Sequence, residues 1–181
     1  DLFLGTINGV LIGIILSFSE MLIRTSKPAR CFLGIQPGHR HFRDIEEGRQ
    51  IHEVKGVVIY RFSSNLFFAN VSVLQKDIEN SLKADTKAVI IDASGVGSMD
   101  ITAADRLVIL QKSLEEKGIR FYITEHIAGL NEQMRKLGIG YLVEAGCARR
   151  TIHIALKDMG INRPYPLEGG VDNEEISGSR K

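Results

Sequence analysis

Charge of one sign is what this chain has least of. Across 181 residues, 23 basic and 22 acidic side chains leave a net charge of +1. No broad basic field is therefore available to hold a nucleic acid by its phosphates. Cysteine is scarce too: Cys31 and Cys147 are the only two. Their separation excludes a disulfide framework and a metal-ligand spacing, and they read as free cytosolic thiols. The histidines do not fill that gap. His39 and His41 share a charged stretch without the cysteines or paired carboxylates that would complete a metal site, and His52, His126 and His153 stand alone. No metal and no cofactor is expected. A serine–histidine–aspartate ordering, paired catalytic carboxylates and an activated cysteine are missing as well, so the chain is not expected to be an enzyme. Internal repeats are absent.

What is there begins with a run free of charge. Leu2 to Phe18 carries no ionisable side chain, and the apolar character continues to Ile23 with only Glu20 interrupting. A membrane-spanning helix needs about 20 mostly apolar residues. Gly5, Gly9 and Gly13 fall on nearly one helical face, where small residues let a second helix approach closely inside lipid. In a soluble helix each would cost roughly 0.5–1 kcal/mol relative to alanine. A secretory signal would start with basic residues and end at a small-residue cleavage site, whereas here Arg24, Lys27 and Arg30 follow the run. That placement puts the following domain in the cytoplasm. The expectation is the last transmembrane helix of a polytopic protein, with residues 1–27 as helix and basic flank. A chain beginning at Asp1 is expected to be a piece of a longer one. A buried soluble helix is the competing reading, because the run is short for a span.

From Pro28 onward strand and helix alternate. Cys31–Ile35 reads as a short strand closed by Pro37-Gly38, and His39 to Glu53 as a charged, exposed loop. Val57–Phe62 is a β-branched and aromatic strand. Asn70 can cap a helix to about Leu82, whose Val71, Leu74, Ile78 and Leu82 recur at helical spacing. Ala88–Asp92 is apolar enough for a central strand covered on both faces. Asp100 caps a helix to about Lys117, Ile119–Thr124 is a strand, and Ala128–Leu137 and Thr151–Met159 are helices. The order predicts an α/β fold with a mixed, mostly parallel sheet, right-handed crossovers and about four packing helices over 28–163. The Gly-, Pro-, Ser- and charge-rich stretch 164–181 is expected to be a disordered tail.

Two strings carry the functional signal. The first, Tyr60 to Asn70, leaves a strand through a loop that spends Leu66, Phe67 and Phe68, where turns are usually built from Gly, Pro, Asn and Ser. Those side chains either plug one end of the core or present a sticky loop end to a partner. The second, Ile91 to Ala103, places Asp92, Ser94, Ser98, Asp100 and Thr102 between a strand and a helix N-terminus. Such an N-terminus suits an anion, but Asp100 as N-cap would repel one, and the loop lacks the Gly-Lys-Ser/Thr ending of a P-loop.

These strings resemble the signature of STAS domains, found in sulfate transporters and anti-sigma factor antagonists. Asp92, Ser94, Val96, Asp100 and Thr102 match a strand ending in Asp-x-Ser-x-Val followed by Asp-Ser-Ser/Thr-Gly opening a helix. The antagonists are phosphorylated at the position held here by Ile101, which has no hydroxyl, and Ala103 replaces the usual glycine. Thr102 and Ser98 remain as phosphorylation candidates. Gly34 to Gly38, Arg43-Asp44 and Leu66-Phe67-Phe68-Ala69-Asn70 resemble the transporter branch, the sulfate permease (SulP) family, over residues 2–160. The resemblance implies a regulatory and protein-interaction domain beneath a secondary carrier of sulfate or a related anion, in the plasma (bacterial inner) membrane. It would work through Leu66, Phe67, Phe68 and Asn70, and through Asp92, Ser94, Asp100 and Thr102. The implied partners are the membrane domain of the same polypeptide, a second copy in a homodimer and a cytoplasmic protein. A stand-alone, phospho-regulated antagonist and a small nucleotide-binding α/β module using Ser94–Thr102 are the alternatives.

Overall fold

The protein is described here by a computed structural model covering residues 2–48 and 50–162; the tail expected over 164–181 lies outside the described residues. The N-terminal run forms one helix, α1 (Leu2–Thr25). Its Gly5–Ile23 segment has a mean hydropathy of 1.8 with none of it buried, so it is long and apolar enough to cross a membrane. It is not a core helix of the domain that follows.

That domain is built on one five-stranded sheet of order β2-β1-β3-β4-β5. The strands are β1 (Arg30–Ile35), β2 (Phe42–Asp44), β3 (Val57–Phe62), β4 (Ala88–Asp92) and β5 (Arg120–Thr124). β3, β4 and β5 run parallel, and β1 is antiparallel to both β3 and β2. The helices are α2 (Val71–Ser81), α3 (Ile101–Glu116), α4 (Ala128–Lys136), α5 (Tyr141–Glu144) and α6 (Ile152–Asp158).

Alternation along the strands feeds two cores. On one face Tyr60, Phe62, Val89, Ile91, Phe121 and Ile123 meet Leu74 and Ile78 of α2, Leu107, Leu110 and Leu114 of α3, and Leu130 and Met134 of α4. On the other, Val57, Ile59, Ala88, Ile90 and Tyr122 meet Leu33, Ile35 and Phe42, with Ile152, Ala155 and Leu156 of α6. β4 is buried at all five positions, as its unbroken apolar run requires.

Two elements differ from the sequence expectation. The charged stretch His39–Glu53 contains β2 and a 3-10 turn, Ile45–Glu47. Phe42 is buried, Arg43 exposed and Asp44 half-buried, and three residues are too few to display a period. The helix α5 lies between Gly140 and Gly146 and buries Leu142; four residues flanked by glycines carry no helical pattern.

Candidate functional site

The C-terminal ends of the parallel strands lie side by side, Arg61 beside Asp92 and Asp92 beside Thr124. The loops that leave β3 and β4 are therefore neighbours, and polar side chains knit them together. Leu66 forms a parallel bridge with Met99. Its N–H donates to the Ser98 carbonyl at 2.9 Å, and its carbonyl accepts from the Asp100 N–H at 3.0 Å. Asn65 Oδ1 accepts from the N–H groups of Gly97 at 3.1 Å and Ser98 at 3.0 Å.

Asp100 does two things with one carboxylate. Oδ1 accepts from the Ala103 N–H at 2.8 Å and so caps α3, while Oδ2 accepts from the Phe68 N–H at 2.9 Å and ties the β3 loop to that cap. Asp92 is fully buried. It accepts from Arg61 Nε at 2.8 Å and from the Ser94 N–H at 2.9 Å. Asn70 is also fully buried, but its side chain makes no cap bond to α2. It turns back into its own loop, Oδ1 accepting from the Phe67 N–H at 3.0 Å and Nδ2 donating to the Asn65 carbonyl at 2.8 Å. Phe-Phe-Ala before the helix gives no other polar group to satisfy that turn, and a buried amide must find partners.

The three apolar side chains of the loop divide the two roles offered by the sequence. Leu66 is 3% exposed and belongs to the core, Phe67 is half-buried, and Phe68 is 60% exposed. The Phe67 and Phe68 rings meet edge to face with centroids 5.6 Å apart. Ile101, the first residue of α3, is 54% exposed beside them. Thr102 and Ser94 are exposed and Ser98 is half-buried.

A third loop, between β5 and α4, joins this edge. Gln133 of α4 accepts from the Met99 N–H at 3.0 Å, and Ile127, which precedes α4, is 49% exposed. Glu125 holds a left-handed backbone, φ 55, with Oε1 accepting from the Ile152 N–H at 3.1 Å. Arg61, Asn65 and Gln133 were not singled out in the sequence. Their roles are contacts with residues about 30 positions away, and no local spacing signals them.

Asn65 gives the first prediction. Asn65→Ala removes the acceptor for two loop amides, and because Gly97 is open to water the cost is about 1 kcal/mol. Amide exchange is expected to accelerate at Gly97 and Ser98 while the interior of α3 keeps its protection.

His126 gives a second. Its Nε2 lies 2.9 Å from Asn131 Nδ2, an arrangement in which the amide donates to an unprotonated ring nitrogen. Burial holds its pKa below the ordinary 6.5 and outweighs the opposing pull of the Ile123 carbonyl and the Glu125 charge. The unfolded chain thus binds the proton more readily, so stability is full above pH 6.5 and falls as the pH drops below it toward the lowered folded value. In His126→Gln, the part of this slope due to His126 should vanish from thermal unfolding curves taken across that window.

The STAS domain family profile matches residues 49–153. The chain is 30% identical over 145 residues, 78% of its length, to a protein of Arabidopsis thaliana named "Probable sulfate transporter 3.5", and covers 22% of that protein. It is 26% identical to "Sulfate transporter 4.1, chloroplastic" of Arabidopsis thaliana in a match covering 99% of this chain and 28% of the relative. The chain thus spans about a quarter of the length of these relatives. Among solved structures, the murine Slc26a9 anion transporter in the inward-facing state superposes with a TM-score of 0.72 over 86% of this chain and 26% of that one. At 20% identity that likeness speaks to the fold alone.

Proposed function

Because this chain belongs to the STAS domain family, we propose that it is the cytoplasmic regulatory and protein-interaction domain of a SulP-type secondary anion transporter, with α1 as the last membrane helix before it. The observation that carries this reading is the pairing of helix and domain. α1 leaves its apolar segment unburied, and after only residues 26–29 the sheet begins. The match to a sulfate transporter covers 99% of the chain, helix and domain together.

The site favours binding over chemistry. The carboxylates of Asp92 and Asp100 are each held by two donors. Burial pushes the Cys31 thiol up to about 11, with Asp44 adding to it. Burial also raises Cys147, so neither thiol offers the thiolate a nucleophile needs. A phospho-switch of the antagonist kind is less well supported, because Ile101 occupies the acceptor position and has no hydroxyl. The domain would set assembly, stability or coupling of the carrier through the loops bearing Phe67, Phe68 and the Asp100–Thr102 turn. Its partners would be the membrane domain of the same polypeptide, a second copy and a cytoplasmic protein.

Two measurements test this. An antibody against the domain should detect, in the membrane fraction of a native lysate, a band far heavier than 20.1 kDa; a soluble band near that mass overturns the reading. Deleting residues 28–181 from the native protein should lower sulfate uptake or dimer content. Unchanged uptake and dimerisation would sink the regulatory role.

A further inference from the structure

The junction between α1 and the sheet has almost no slack. Helical bonding continues one residue past α1, since the Ser26 N–H and the Ser26 hydroxyl both donate to the Leu22 carbonyl, at 2.9 and 2.7 Å. The sheet begins early as well: the Ala29 carbonyl accepts from the Ser63 N–H at 2.9 Å, one step before Arg30 pairs with Phe62. Only Lys27 and Pro28 remain between the two. The proline ring fixes its own φ and narrows the backbone choices of Lys27, and Pro28 is buried. A linker that lets two bodies swing is longer and rich in glycine and serine. This one is neither.

A cluster on the α2 side pins the start of β1. Arg30 Nε and the Tyr60 hydroxyl both donate to one oxygen, Asp77 Oδ2 on α2, the hydroxyl at 2.7 Å. Tyr60 is fully buried, so its hydroxyl needs a partner there. Burial and that bond push the phenol well above its ordinary pKa, which keeps the proton on the donor. The Phe32 ring meets the Tyr60 ring edge to face, with centroids 5.1 Å apart. Asp77 thus ties the first residue of β1, Tyr60 of β3 and α2 into one body. Ser63, which holds Ala29, is also the first residue of the loop bearing Phe67 and Phe68, and Gly95 of the β4 loop sits against it. The exit of α1 and the two candidate loops are therefore joined through Ser63.

We propose that the Lys27-Pro28 junction and Asp77 lock α1 and the domain into one rigid arm, so that a tilt or rotation of α1 in the membrane reaches the loops bearing Phe67, Phe68 and Asp100 instead of being lost in a linker. The proposal rests on α1 being a span, and it names the device that would couple carrier and domain. The test uses the 181-residue chain in phospholipid nanodiscs, diluted with unlabelled chain, with Cys31 and Cys147 replaced by serine. Spin labels at Ile14→Cys and Lys117→Cys report the distance from α1 to the domain, and labels at Lys76→Cys and Glu132→Cys a distance inside it. The two distance distributions should be equally narrow. Inserting Gly-Ser-Gly-Ser after Lys27 should widen the first about twofold or more. Asp77→Ala should widen it too, while the second pair keeps its width and so reports an intact domain. Asp77→Asn, which keeps an oxygen for Tyr60 but drops the charge facing Arg30, should fall between, and it decides where Asp77→Ala loosens the second pair as well. If the first distance is already about twice as broad as the second in the parent chain, or stays as narrow in the Asp77 variants, the proposal fails. Relaxation of the Ile14 label by oxygen rather than by a water-soluble nickel complex separates the two readings. A label in lipid with a broad distance leaves the span standing without the arm, and a label reached by nickel removes span and proposal together.

Discussion

Arg61→Ala is expected to destabilise the domain by about 2–3 kcal/mol, more than loss of an ordinary surface pair. Surface ion pairs are worth about 0–1 kcal/mol because water screens both partners. Here the partners differ: Asp92 is fully buried, whereas the Arg61 side chain is 35% exposed. Removing the cation leaves the buried carboxylate to the Ser94 N–H. Breaking a buried pair from one side costs about 3–5 kcal/mol, and partial access of water beside Arg61 lowers that figure. Thermal unfolding of the detergent-solubilised chain, followed by circular dichroism, should show a fall of ~6–12 °C. The double variant Arg61→Ala/Asp92→Asn removes the stranded charge yet keeps an oxygen for Ser94, and should recover part of the loss. If the single variant unfolds at the wild-type temperature, the pair is not what holds the ends of β3 and β4 together.

The contrast between what was readable in the sequence and what was not has a physical cause. β3 and β4 were legible to the residue because a buried strand must be a short unbroken run of β-branched and apolar residues, as Val57–Phe62 and Ala88–Asp92 are. The cap at Asp100 was legible because its bond to Ala103 spans three positions. The second bond from the same carboxylate, to Phe68, spans 32 and leaves no periodic trace. Asn70 shows the same limit from the other side. Its position before α2 fits a cap, yet its amide is drawn into the turn at Phe67, a preference decided by burial rather than by spacing. Phe67 and Phe68 were marked as unusual, but only the packing of Leu66 beneath them reveals which of the three is left outside.

The close approach of the two loops makes the last prediction. Gly95 follows Ser94 in the β4 loop, and a Cβ built there would stand 2.5 Å from Ser63 Cα and 3.2 Å from the Phe62 carbonyl oxygen. Both are backbone atoms at the end of β3, so no side chain can rotate away to make room. Gly95→Ala must push the loops apart, at the roughly 1–3 kcal/mol that overpacking costs, and the bulkier Gly95→Val at the upper end or beyond. The displacement would be transmitted along the ties already described. Asn65 could no longer reach Gly97 and Ser98, and Phe68 would lose Asp100 Oδ2. The signature is therefore local before it is global: faster amide exchange at Phe68, Gly97 and Ser98, with a drop in unfolding temperature. Gly118, where nothing lies within 4 Å of an added Cβ but φ is 71, is the control. Gly118→Ala should cost stability through backbone strain alone and leave exchange at those three amides unchanged. If Gly95→Ala behaves like Gly118→Ala, the loops are not in contact, and the single surface drawn through Phe68 and Ile101 does not exist.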